Sequence, residues 1–291
     1  MIGINEYTEL SGLTYAGKDM QALAEQLKAS GFEASRVVLM HDGAKDVKYR
    51  PGRTNITREL DLIIPRVKKD DLLLIAFSGH GLFLDTKSYF CPTEARDADP
   101  EKTLISVDSV YKQLETCPAA LKFMLVDSCR NDPRPPGKKS ANPKEDLKSL
   151  GNAFERPPEG LVVFNSCGPG QTSWEDDKLG HGVFMNYFLQ GLTGEADASK
   201  NGKISLEELF EFSSDKTEDF VAVKRSDFQR PSRKGEIHGK FEFLPSGRGN
   251  SDTESTSIPA IPPSSRLSVP KLFNFTDGDK SSTDALSAQQ S

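Results

Sequence analysis

The sequence predicts an α/β protein, a three-layer α/β/α sandwich whose central sheet is mainly parallel. Three short apolar runs predict buried strands, because they are rich in Leu, Ile, Val or Phe and are bounded by polar residues. They lie at 71–77, 121–127 and 160–164. Helical patterns separate strands along the chain. Such an alternation of strands and helices favours parallel pairing with helices on both faces of the sheet.

The other elements are assigned from spacing and from end signals. Residues 18–29 repeat apolar side chains at helical intervals, and Gly31 ends that pattern. Thr54 or Asn55 is the predicted cap of a second helix, which runs to about 67. The remaining predicted elements are strands at 2–5 and 36–40, an extended piece at 89–92, and helices at 106–114, 181–192 and 206–221.

We expect one packed domain over 1–244, with two segments outside its core. Residues 131–158 are rich in Pro, Lys, Asn and Ser, which predicts an exposed loop. Residues 245–291 are rich in Ser, Thr and Pro and predict a disordered tail. Within that tail, 267–275 is apolar enough to dock a partner.

Composition limits the classes of function. The net charge of -6 and the pI near 5.4 give no support for nucleic-acid binding. The longest apolar runs are too short to cross a bilayer, and the first residues do not resemble a signal peptide. The four cysteines are far apart in the sequence and suggest neither a zinc site nor a disulfide scaffold. They are Cys91, Cys117, Cys129 and Cys167. Free thiols in a reducing cytoplasm are the expectation.

Two strands end in reactive side chains. His80 follows the run 71–77 within Ser78-Gly79-His80-Gly81, and Cys129 follows the run 121–127. Open α/β sheets place their chemistry at the carboxyl ends of strands, so neighbouring parallel strands would bring this pair together. An imidazole helps to form a thiolate nucleophile and can then protonate a leaving amine. The competing interpretation is an inert buried cysteine and an ordinary loop histidine.

These two motifs resemble the catalytic motifs of the caspase-like cysteine peptidases, particularly the metacaspases and their bacterial relatives. The resemblance extends over about 2–244. It includes Gly3-Ile4-Asn5-Glu6-Tyr7, the interval from Leu13 to Asp19, and Pro169-Gly170-Gln171-Thr172-Ser173-Trp174. It implies that Cys129 is the nucleophile and His80 the general acid/base, with the oxyanion hole formed by the N–H groups of Gly81 and Cys129. It leaves the oligomeric state open, although metacaspases resemble monomers more than caspase dimers. It also suggests a zymogen that cuts itself within 131–158, and the competing interpretation of that segment is a solvated basic loop.

Two departures from true caspases bear on the cleaved bond. Asp127 stands where caspases have Gln, and Glu175 where they have an Arg that binds acidic substrates; metacaspases place an acidic residue at Asp19. A pocket lined by carboxylates prefers Arg or Lys, so protein or peptide substrates with a basic P1 residue, the residue before the cut bond, are predicted. Trp174 would line the pocket beside P1. The alternatives are that Asp19 caps a helix, that Glu175 faces solvent and that Trp174 is ordinary core.

The catalytic scheme requires no cofactor, but one loop fits a calcium template. Residues 197–208 match the twelve-residue EF-hand pattern, with Gly202 at its sixth position. The candidate ligands are Asp197, Ser199, Asn201, Lys203 through its carbonyl, Ser205 and Glu208. Few of these are carboxylates, and no partner hand is present. The competing interpretation is a tight turn followed by a capping box from Ser205 to Glu208.

Two rival functions remain. A caspase-like adaptor or regulatory module would keep the fold and lose proteolysis, but such a module has no chemical need for both His80 and Cys129. A nucleotide-binding domain could use Gly168-Pro169-Gly170 as a phosphate loop. Pro169 has no N–H, however, and no Gly-Lys-Ser/Thr follows it.

Overall fold

The computed structural model describes residues 1–84, 87–128, 156–168, 170–236 and 241–246. Cys129, Pro169, the 131–155 part of the predicted loop and the 247–291 part of the predicted tail lie outside the described residues.

The described strands and helices alternate for most of the chain. The strands are β1 Ile2–Gly3, β2 Met40–His41, β3 Leu72–Ser78, β4 Gly81–Leu84, β5 Lys87–Phe90, β6 Ile105–Ser106, β7 Leu121–Asp127, β8 Leu161–Asn165, β9 Glu175–Asp176, β10 His181–Gly182, β11 Ile204–Ser205, β12 Ser232–Lys234 and β13 Glu242–Phe243. The helices are α1 Ala16–Ala29, α2 Arg53–Ile63, α3 Pro100–Thr103, α4 Val107–Glu115, α5 Val183–Gln190 and α6 Leu206–Arg225.

Six strands form the central sheet in the order β12-β8-β7-β3-β1-β2. All neighbours are parallel except β12, which runs antiparallel to β8. Strands β3 and β7 pair over seven residues, from Leu72 opposite Leu121 to Ser78 opposite Asp127. The predicted adjacency of these two strands is confirmed, and their carboxyl ends lie side by side.

Alternation along the strands divides the core into two layers. Met124 and Val126 face one layer, which α2 and α4 cover, whereas Phe123 and Leu125 face the other, which α1, α5 and α6 cover. Successive side chains of a strand point to opposite faces of the sheet, so a strand with apolar residues at every position fits a sheet that is buried on both faces. The predicted α/β/α sandwich is confirmed.

The second predicted strand is largely wrong. Residues 36–40 were expected to be extended, but Ala34–Arg36 forms a 3₁₀ turn and β2 contains only Met40 and His41. Its neighbour β1 offers only Ile2 and Gly3 for pairing, so the short β1 limits the length of the edge strand β2.

The predicted cap of α2 is also wrong. Gly52 occupies the N-cap position, and the Arg53 N–H donates to the carboxylate of Glu94 at 2.9 Å. Asn55 instead uses its side-chain amide on the carbonyls of Val47 and Arg50. A carboxylate that is distant in the sequence therefore accepts from the N-terminus of α2, and no local sequence pattern predicts this contact. No helix among the described residues is both long and apolar enough to span a membrane.

Candidate active site

The carboxyl ends of β3 and β7 lie side by side, and in the sequence each is followed by one of the two candidate catalytic residues. The Gly79 N–H donates to the Asp127 carbonyl at 3.1 Å, which holds the two strand ends together. His80 follows β3 by two residues, and Cys129 follows β7 by two residues. Of these two residues, the structure describes His80.

His80 is held in a defined tautomer. Its ring is buried, and Nε2 lies 2.8 Å from the carbonyl oxygen of Ser11. Because a carbonyl only accepts hydrogen bonds, Nε2 carries the hydrogen and Nδ1 of the neutral ring keeps its lone pair. Burial lowers the pKa of His80, while the Ser11 carbonyl acts in the opposite direction. A mostly neutral imidazole with a free Nδ1 is suited to accept a proton from a thiol.

Tyr7 also positions His80, although sequence reasoning assigned it no role. The two ring centroids are 4.7 Å apart, and the His80 backbone N–H donates to the Tyr7 hydroxyl at 2.8 Å. A Cβ atom at Gly79 would lie 2.7 Å from that hydroxyl. The glycine before His80 is therefore needed for the tyrosine to approach.

Two of the three amides in this loop already have partners. The Gly79 N–H donates to the Asp127 carbonyl, and the His80 N–H donates to Tyr7. Neither amide is available to a developing oxyanion. The predicted oxyanion hole therefore depends on Gly81, at the start of β4, and on Cys129, which lies outside the described residues.

The four predicted substrate-binding residues line one small cleft. Asp19, Asp127, Trp174 and Glu175 come from three separate segments and surround it together with Leu13, Ser78, Gly79, Ser173 and Gly182. Its free volume is about 20 Å³, which is room for roughly one water molecule. A side chain the size of Arg can enter only if the walls of the cleft separate.

Gly182 leaves a gap between two buried carboxylates. A Cβ atom built at Gly182 would lie 2.8 Å from Oδ2 of Asp127 and 3.1 Å from Oδ2 of Asp19. That point is one covalent bond from the Gly182 Cα atom, so no ligand atom can occupy it, but both oxygens lie beside it and border the same gap in the cleft. A cationic group that entered this gap could contact both carboxylates. Ser173 donates its hydroxyl to Oδ1 of Asp127 at 2.6 Å. Burial raises the pKa of Asp127 to about 6, and the nearby Asp19 carboxylate adds to that shift.

Asp19 does not cap its own helix. It lies in the first turn of α1 and is 1% exposed, but its carboxylate accepts hydrogen bonds from Nδ1 of His181 and from the Gly182 N–H. Burial raises the pKa of Asp19. The alternative that this residue is a helix cap is therefore wrong.

Glu175 faces the cleft but is already engaged with the backbone. Its carboxylate accepts from the Thr14 N–H at 3.1 Å and from the Tyr15 N–H at 2.7 Å. These amides precede α1, whose N-cap residue Tyr15 has no side-chain cap of its own. Glu175 thus stabilises the start of that helix, which makes it a weaker candidate for P1 recognition than Asp19 or Asp127.

Trp174 is held at the rim of the cleft rather than in the core. Its indole N–H donates to Asp227 at 3.1 Å, and its backbone N–H donates to Gln229 at 3.0 Å. The guanidinium of Arg225 lies 5.2 Å from the indole ring, within cation–π range. The core interpretation is therefore wrong, and the indole is half-buried beside the cleft.

The structure confirms the capping box at the candidate calcium loop. Ser205 caps α6 by accepting from the Glu208 N–H, and Glu208 accepts from the Ser205 N–H at 2.9 Å and the Ser199 N–H at 3.0 Å. Asp197 accepts from the amides of Asn201 and Gly202. Both carboxylates thus serve the turn itself, and calcium binding stays a prediction. Within the described ranges, no three His, Cys, Asp or Glu residues are arranged to hold a metal ion.

Comparison with known proteins agrees with this fold. The sequence model of one protein family, described as the caspase domain, matches residues 1–236. The chain therefore belongs to the caspase-domain family, whose members are cysteine peptidases. Two solved structures, the crystal structure of caspase-1 from Spodoptera frugiperda and that of pro-Sf-caspase-1, each superpose with a TM-score of 0.56 at 16% sequence identity. Each covers 86% of this chain and 89% of its own. No curated protein matches the sequence.

Proposed function

We propose that the protein is a metacaspase-like cysteine endopeptidase that hydrolyses peptide bonds after Arg or Lys. The observation that supports this specificity best is the gap beside Gly182, where carboxylate oxygens of both Asp19 and Asp127 border the cleft. A buried pair of carboxylates repels an acidic P1 residue and attracts a basic one.

In the proposed reaction, Nδ1 of His80 takes the proton of the Cys129 thiol, and the thiolate attacks the carbonyl carbon of the scissile bond. The N–H groups of Gly81 and Cys129 stabilise the oxyanion. His80 then donates its proton to the leaving amine, and the peptide remains attached to Cys129 as a thioester. Water, deprotonated by His80, hydrolyses that thioester and regenerates the thiol. The Ser11 carbonyl, 2.8 Å from Nε2, stabilises the imidazolium between these steps.

The scheme needs no cofactor and no metal. Its partners are proteins or peptides with a basic P1 residue, and we place it in the cytoplasm because its cysteines are few and far apart in the sequence. Self-cleavage within 131–158 is part of the same proposal, since Lys and Arg residues follow Cys129 closely in the sequence.

The experiment is turnover of fluorogenic peptides that differ only in P1, with Arg, Lys or Asp at that position, with and without calcium. Cleavage after Arg and Lys that disappears in the Cys129→Ala variant would support both the catalytic pair and the acidic pocket. Cleavage after Asp would retain the pair and refute the pocket argument. No turnover by folded protein, including a sample pre-cut within 131–158, would favour the adaptor function.

Calcium binding is tested in the same samples. Titration calorimetry on the full chain, with Asp197→Asn as the matched variant, separates binding at 197–208 from binding elsewhere. The absence of heat at millimolar calcium would end that hypothesis.

A further inference from the structure

His181 contacts the cleft carboxylate of Asp19 and has no role in the proposed reaction. It lies in β10, opposite Asp176 of β9. Its side chain is 20% exposed, and its Nδ1 hydrogen-bonds to Oδ1 of the almost fully buried Asp19. Because a buried carboxylate accepts from this nitrogen, Nδ1 carries the hydrogen.

Two consecutive residues hold the two oxygens of Asp19. His181 binds Oδ1, and the Gly182 N–H donates to Oδ2 at 3.0 Å. Such bidentate contacts fix both the position and the plane of a carboxylate. The same Oδ2 lies 3.1 Å from the position that a Cβ atom of Gly182 would take, and it therefore borders the gap beside that glycine. The hydrogen bond from His181 therefore determines how Asp19 faces that gap.

The environment of Asp127 differs from that of Asp19. Its Oδ1 accepts from the neutral hydroxyl of Ser173, and no Lys, Arg or His in the described part of the chain forms an ion pair with it. One carboxylate thus accepts from an imidazole N–H, while the other accepts from a hydroxyl group.

We infer that His181 is a positioning residue of the basic-specificity pocket: it orients Asp19 toward Asp127 across Gly182, so that both carboxylates contact the cation of the P1 side chain. This inference rests on the proposed function and adds to it the residue that aligns the pocket. Substrate binding depends on His181, whereas the chemistry at His80 and Cys129 does not.

Two substitutions separate the hydrogen bond from the imidazole itself. His181→Ala removes the donor, while His181→Asn places an amide N–H near the position of Nδ1. His41→Ala is the matched control, because His41 also hydrogen-bonds to a residue of α1, Gln21, at 3.3 Å. Each variant is first checked for folding by circular dichroism and thermal unfolding.

Two readouts are measured. The first is KM and kcat for peptides with Arg at P1. The second is the affinity for benzamidine, a planar cation that resembles the arginine side chain, by calorimetry in the Cys129→Ala background. The second readout does not require turnover, so a failure of the inference can be told apart from a failure of the proposed function.

We expect His181→Ala to raise KM and to weaken benzamidine binding about tenfold, with kcat within about twofold of wild type, as for loss of a binding interaction. His181→Asn should recover most of the affinity, and His41→Ala should leave both constants unchanged. Unchanged KM and benzamidine affinity in folded His181→Ala would overturn the inference. Loss of thermal stability that Asn does not rescue, with no change in KM relative to kcat, would also overturn it. If the wild type neither cleaves Arg peptides nor binds benzamidine, the proposed function itself fails, and the inference fails with it.

Discussion

Asp127→Asn is the substitution that separates the role of the Asp127 charge in substrate binding from its effect on the stability of the fold. Asparagine has nearly the same shape as aspartate and can still accept the hydroxyl hydrogen bond from Ser173. The variant therefore removes one negative charge from a site that is 7% exposed and leaves the packing almost unchanged. If that charge selects the P1 residue, activity and stability should move in opposite directions.

The magnitude of the loss in activity follows from the contact at the gap. A hydrogen bond between charged groups contributes about 1.5–3 kcal/mol, and each 1.36 kcal/mol is a factor of ten in rate. We therefore expect kcat/KM for Arg and Lys peptides to fall by roughly 10- to 150-fold. The loss should be largely in KM, because the charge lies in the pocket and not at the reacting atoms.

The magnitude of the gain in stability follows from the pKa. Burial raises the pKa of Asp127 from 3.8 to about 6. Keeping this group ionised at neutral pH therefore destabilises the folded state by about 3 kcal/mol. Asparagine carries no such penalty, so the midpoint of thermal unfolding should rise in the variant.

The assay combines steady-state kinetics on Arg, Lys and neutral P1 peptides with thermal unfolding of the same samples. Glu175→Gln is the matched control, since the Glu175 carboxylate faces the same cleft but accepts hydrogen bonds from the amides before α1. A variant of Asp127 that loses stability, and that loses activity equally on every P1 residue, would refute the reasoning. That result would make Asp127 a structural residue of the strand end.

Four further predictions follow from the same contacts. Benzamidine affinity should fall as the pH drops below about 6, because protonation of Asp127 removes the charge that holds the cation; constant affinity down to pH 5 would contradict this. The effect of the same group on the stability of the fold has the opposite sign, because its raised pKa means that protonation favours the folded state. This stabilisation is fully present below the unfolded pKa of 3.8 and is lost as the pH rises through about 6. Tyr7→Phe removes the hydroxyl that accepts from the His80 N–H but keeps the ring, so kcat should fall about three- to tenfold with KM unchanged; a pure KM effect would argue against a role in positioning His80. Gly182→Ala places a methyl group between the carboxylates and should reduce kcat/KM for Arg peptides at least tenfold, and retention of full activity would exclude the gap as the cation site. Glu175→Ala should destabilise the fold by about 1 kcal/mol through loss of a helix cap, and thermal unfolding that matches the wild type would show that the cap is not needed.

The sequence determined the framework of this site. Apolar runs that end abruptly at Ser78 and Asp127 predicted two buried strands, and the register shows those residues directly opposite each other. A strand that is buried on both faces of a sheet is a continuous run of apolar residues, which can be recognised in the local sequence. The acidic residues of the cleft were also found, because the resemblance to a peptidase family identified the loops that carry them.

Much of what orients the catalytic and pocket residues was decided by tertiary structure. Tyr7 reaches His80 across 73 positions of sequence, and His181 reaches Asp19 across 162. Spacing patterns report neighbours two to four residues apart, so they cannot show which distant segments the sheet order brings together. One signal was present: Gly180-His181-Gly182 repeats the triplet around His80.

The roles of individual carboxylates were likewise settled by the fold. By composition alone, Asp19, Asp127 and Glu175 are three equivalent acids in a predicted pocket. The structure assigns Glu175 to the start of α1, tethers Asp19 to His181 and gives Asp127 a hydroxyl partner, Ser173. Sequence determines which charges are available, but hydrogen-bond partners and burial decide what each charge does, and both depend on how separate elements pack.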